Sequence, residues 1–144
     1  MWREKMPLPT TLITQFFRLV AIRNYQAAEI VLARVKKKLP RGEWNHGYFM
    51  ALNGILLALQ TRDPRAFVNN VTEADLPQCG REFMAHARNS LHAEYDRGYF
   101  SAMVDYVKSV ELWCKHQKST LPKQAQIETI QINEGETKLL TEEV

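Results

Sequence analysis

Apolar positions in this chain fall into blocks at helical spacing, separated by short polar or Pro/Gly punctuation. Leu12, Ile13, Phe16, Phe17, Leu19, Val20 and Ile22 recur three and four apart and predict a first helix. Thr10 or Thr11 is placed to cap it. Arg23-Asn24 ends it, because Asn tolerates the left-handed conformation of a helix stop. A second helix follows from Tyr25 to about Lys38, with Ala27, Ala28, Val31, Leu32 and Val35 as its apolar stripe and Pro40 and Gly42 closing it. The third, from about Trp44 to Gln60, is apolar nearly all round (Phe49, Met50, Leu52, Ile55, Leu56, Leu57, Leu59), the signature of a central buried helix. Gly47 and Gly54, two turns apart on it, predict close packing against a neighbour.

Asp63-Pro64 predicts a short fourth helix carrying Ala66, Phe67 and Val68. Residues 71–80 follow as a connector broken by Pro77 and Gly80. A fifth helix is expected over about Arg81 to Asp96, a turn at Arg97-Gly98, and a sixth over Tyr99 to about Gln117, burying Met103, Tyr106, Val107, Val110 and Trp113. After Ser119 the texture turns polar and acidic, with Ile127, Ile130 and Ile132 as isolated apolar anchors. The expected class is therefore all-α: about six helices as three stacked antiparallel hairpins over residues 1–118. A tail, 119–144, is expected to be flexible or ordered by a partner.

The hairpins also align with one another. Tyr25 is followed by Ala28 and Leu32, and Tyr99 by Ala102 and Tyr106, at the same spacings. The middle unit offers Ala66, with Gly54 twelve residues earlier, and the last has Ser90 twelve before Ala102. This resembles the tetratricopeptide repeat, in which a small residue on each helix lets a pair approach closely. The middle unit departs from the pattern, with Asn70 where a large apolar residue is expected, and the spacing exceeds the usual repeat of about 34 residues. The resemblance implies a groove that takes a peptide or helix of a protein partner, and hence interaction rather than catalysis.

Composition fits a single globular domain: 144 residues, 45% hydrophobic and 24% charged. The start carries no apolar core of a signal peptide, and no run of eighteen apolar residues occurs, so a cytoplasmic protein without membrane association is expected. Two distant cysteines, Cys79 in a loop and Cys114 on a helix, predict reduced thiols, with a disulfide as the alternative. Charge is uneven. Residues 1–60 hold nine Lys/Arg against three acids, residues 61–118 eight against eight, and residues 119–144 two against five. A basic first half facing an acidic tail suggests an anionic partner or screening by the tail.

Two clusters are candidate sites. Arg34, Lys36, Lys37, Lys38 and Arg41, followed at once by Trp44, His46 and Tyr48, offer charge for phosphates and rings for stacking on bases; equally, they make a solvated helix end with an aromatic anchor. Arg88, His92, Tyr95 and Arg97, with Asp96 and Tyr99, form the densest polar-aromatic stretch; Arg88, His92 and Tyr95 share a helix face and offer an anion or partner site, or else the stretch makes a network pinning a turn. Arg81 and His86 form an Arg-x4-His spacing similar to the catalytic signature of the helical HEPN ribonucleases. No metal-ligand spacing, phosphate loop or nucleophile motif occurs, so neither metal nor cofactor is expected. The leading expectation is a non-enzymatic scaffold for a protein partner, with RNA or single-stranded nucleic acid as the alternative and homodimerisation through an apolar end face left open.

Overall fold

The computed structural model describes residues 8–120, with side chains through Gln117. Expectations for residues 1–7 and 121–144, the apolar anchors of the tail among them, lie outside the described residues. The described chain is all-helical, with five α-helices: α1 Thr10–Ala21, α2 Tyr25–Lys38, α3 Glu43–Thr61, α4 Leu76–Arg88 and α5 Glu94–Thr120. No strand occurs among the described residues. No described helix is long and apolar enough to cross a membrane.

α1 and α2 form an αα-hairpin over a three-residue link, with packing along both helices. Arg23, not Asn24, takes the left-handed conformation in that link. Asn24 instead caps α2, its side chain accepting the Ala27 amide hydrogen at 3.3 Å. No threonine caps α1, which the chain enters through Pro9.

The expected fourth helix is replaced by two single 3₁₀ turns, Phe67–Asn69 and Glu73–Asp75. Side chains take the carbonyls a helix would have used. Asn69 Nδ2 donates to the carbonyls of Ala58 and Asp63, and Asn70 Nδ2 to those of Pro64 and Ala66, all within 2.7–3.0 Å. Such local bonds compete with helical ones. Among the described residues two α-helical hairpins therefore form, α1–α2 and α4–α5, and α3 is followed by this irregular segment.

α4 begins five residues earlier than expected and absorbs Pro77, Cys79 and Gly80, because Pro77 sits in the first turn, where its missing N–H has no helical partner to lose. The turn between the last two helices falls at residues 89–93, not at Arg97-Gly98. Arg88, His92 and Tyr95 are thus split among α4, the link and α5, and share no helix face.

Two compact units divide the chain, residues 1–111 and 112–144. In the first, Phe16, Tyr48, Leu52, Val35, Leu76 and Val107 are the largest fully buried side chains. Ala28 and Ala102, the small positions of the first and last hairpins, have no exposed surface. Phe17 packs on Tyr106 at 6.1 Å between ring centroids. Where α3 crosses α5, two glycines bring the backbones together: a Cβ on Gly47 would strike the carbonyl of Tyr95, and one on Gly98 the carbonyl of Trp44. Gly54, by contrast, is exposed with open space around it, so it is not a packing position. In the second unit the described residues are the end of α5, with Leu112 exposed and Trp113 and Cys114 half-buried.

Candidate functional site

The lysines expected to grip an anion lie where expected. Lys36, Lys37 and Lys38 occupy the last turn of α2, where cations complement the carbonyl end of the helix. They are exposed, as are Arg34 and Arg41. Lys36 Nζ stands 5.6 Å from the centroid of the Phe49 ring.

Of the adjoining aromatic residues only His46 is exposed. Trp44 and Tyr48 are core residues, their rings stacked at 5.4 Å, and cannot serve as a platform for bases. Tyr48 has no exposed surface, and its hydroxyl donates to Asp105 Oδ2 at 2.7 Å. Burial, reinforced by the Asp105 carboxylate, pushes the Tyr48 phenol well above the usual tyrosine value.

The second cluster separates into four roles. Arg97 turns back onto its own fold: its Nε donates to the Ala87 carbonyl at 3.1 Å and its guanidinium pairs with Glu94 at 3.2 Å. It ties the end of α4 to the start of α5. Tyr95 packs against His46 at 5.5 Å. His92 meets His86: Nδ1 of His86 and Nε2 of His92 are 3.2 Å apart. Both imidazoles pack on Phe100, which continues through Phe83 to Phe67 as an aromatic seam.

Arg88 lines a concavity of the first unit, a pocket of about 360 Å³. Leu8, Trp44, Met84, Ala87 and Val104 supply apolar walls. Thr10, Ser101 and Asp105 add polar atoms, and Arg88 and Lys108 contribute cations. Both cations are exposed, and neither pairs with an acid among the described residues. The volume falls in the range of small-ligand and side-chain pockets, roughly 300–1,000 Å³. Lys108 was not singled out from sequence. The available signal was the i, i+4, i+7 row Ser101-Asp105-Lys108 beside Val104, a polar stripe bordering an apolar one.

Arg81 and His86 are not brought together. Five positions apart on one helix they project roughly 140° from each other, and Arg81 donates to Gln78 at 3.0 Å while His86 faces His92. Both cysteines are free thiols, with Cys79 on α4 rather than in a loop. Among the described residues no group of three or more His, Cys, Asp or Glu converges on a metal position. Comparison with known proteins gives no match: no family model, no curated protein and no solved structure matches this chain.

Proposed function

We propose that this chain is a non-enzymatic helical interaction module of the cytosol. Its Arg88–Lys108 pocket would dock an acidic segment of a protein partner, anchored by one apolar side chain. One observation carries this reading: a concavity walled by the buried Trp44, Ala87 and Val104 is lined by two cations that lack ion-pair partners among the described residues, against the single carboxylate of Asp105, which accepts from Tyr48. An apolar anchor supplies contact area, and unpaired rim charges select its flanking groups. The hairpins with fully buried Ala28 and Ala102 support a stacked scaffold as the frame, in keeping with the tetratricopeptide-like spacing. The exposed lysines at the end of α2 add positive charge that would speed encounter with an acidic partner.

The test is affinity purification with mass spectrometry, run with and without nuclease, on the natural chain and on Arg88→Glu/Lys108→Glu. A stoichiometric, nuclease-resistant partner lost from the double variant is the expected result. Partners that vanish on nuclease treatment would transfer the argument to nucleic acid and the α2 lysines. A partner kept equally by the double variant would remove the pocket from the interface.

A further inference from the structure

The aromatic seam between α4 and α5 ends in two imidazoles whose nitrogens face each other. We propose that His86 and His92 form a solvent-open, two-imidazole site for a borderline divalent cation of the Zn²⁺ or Cu²⁺ type.

The separation of Nδ1 of His86 from Nε2 of His92, 3.2 Å, suits more than a hydrogen bond. A tetrahedral cation with metal–nitrogen bonds of roughly 2.0–2.1 Å holds two ligand nitrogens roughly 3.3 Å apart. The separation therefore matches a chelating bite, and a tilt of each ring off the line between the two nitrogens would turn both lone pairs onto the cation. In the metal-free pair one ring donates its proton to the other. On binding, that ring carries its proton on its other nitrogen, and both facing lone pairs go to the cation.

The rings are held in this arrangement by their surroundings. His86, in the last turn of α4, stacks on Phe100 at 4.6 Å and 26°; His92 lies 6.1 Å from the same ring. Phe100 is backed by Phe83 at 6.1 Å. His92 is placed by a turn in the 89–93 link, where its amide donates to the Asn89 carbonyl at 3.1 Å and Asn89 Oδ1 accepts the Leu91 amide hydrogen at 2.9 Å. Fixing ligand orientation by such support raises affinity.

Access and selectivity follow from the same residues. His86 is exposed and His92 half-buried, so a cation can enter from solvent and complete its coordination with water. Two imidazole nitrogens, with no carboxylate converging on them among the described residues, favour imidazole-seeking ions over Mg²⁺ or Ca²⁺, which require oxygen cages.

The experiment titrates the full chain with Zn²⁺, Co²⁺ and Mg²⁺, following histidine side-chain resonances by NMR and the visible absorption of Co²⁺. One Zn²⁺ per chain is expected, with the His86 and His92 signals shifted and no response to Mg²⁺. His86→Gln or His92→Gln should each weaken binding about 100-fold, because the second contact is no longer intramolecular. Phe100→Leu should weaken it about tenfold through loss of ring support. His46→Gln should leave it unchanged. Zn²⁺ that leaves the His86 and His92 resonances of the natural chain unmoved, or that binds the two glutamine variants as tightly, overturns the proposal.

Discussion

Gly98 of α5 lies directly against the Trp44 carbonyl of α3, backbone on backbone, and Gly47 meets Tyr95 the same way from the other helix. A methyl group there has no flexible side chain to displace. Gly98→Ala should lower stability by about 2 kcal/mol, the overpacking cost exceeding the gain in helix propensity. Gly54→Ala, on the exposed side of α3, should raise it by about 0.5–1 kcal/mol. Urea unfolding of the two variants reads these opposite signs.

Tyr48→Phe keeps the stacked ring beside Trp44 but removes the hydroxyl that donates to Asp105. A hydrogen bond to a carboxylate from a fully buried donor is worth more than a neutral surface one. The expected loss is roughly 1–2 kcal/mol, read as a lower thermal midpoint with unchanged helical circular dichroism.

Alkaline stability follows from the same burial. Tyr106 is pushed up to about 12 by burial, with a smaller contribution from Tyr25, and Tyr48 is raised as well. Because the folded values lie above the unfolded one, the unfolded state releases its protons first as pH rises past about 10. The contribution of these phenols is thus complete below pH of about 10 and lost as pH climbs through the folded value. Unfolding midpoints measured from neutral pH to about pH 12 should fall across that window, less steeply for Tyr48→Phe.

Asn70→Ala removes two of the four side-chain bonds that Asn69 and Asn70 make in the segment after α3, those to the carbonyls of Pro64 and Ala66. These bonds are exposed, so global stability should fall by only about 1 kcal/mol. Amide exchange across residues 63–71 should quicken more than in α1 or α2, which hydrogen-exchange mass spectrometry would resolve.

How far the fold was legible depended on which force decided each segment. α1 to α3 follow apolar periodicity, and there the expected residues (Phe16, Val35, Leu52) are buried. After α3, the amides of Asn69 and Asn70 outcompete the helix that Asp63-Pro64 announced, and periodicity carries no trace of that contest. Pro77 and Gly98 punctuate a sequence in the same way whether they break a helix or serve within it; a first-turn proline and a crossing glycine are distinguished only by their neighbours. The candidate site was legible in part. Arg88 stood out, but its companion Lys108 lies on another helix, and the union is tertiary. Trp44 and Tyr48, ring-rich neighbours of a basic run, went to the core because the central helix needed bulk on that face. His86 and His92 are six apart, a spacing no helix face supports, and only the 89–93 link folds one onto the other.

The α3–α5 crossing also bears on the expected order of assembly. α1, α2 and α3 follow one another through links of three and four residues, so their contacts close small loops and can form quickly. The Tyr48–Asp105 bond joins positions 57 apart. The chain must carry the long intervening segment home before the two glycine notches can engage, so the slow step of folding is expected at that encounter, which the refolding rate of Gly98→Ala would check.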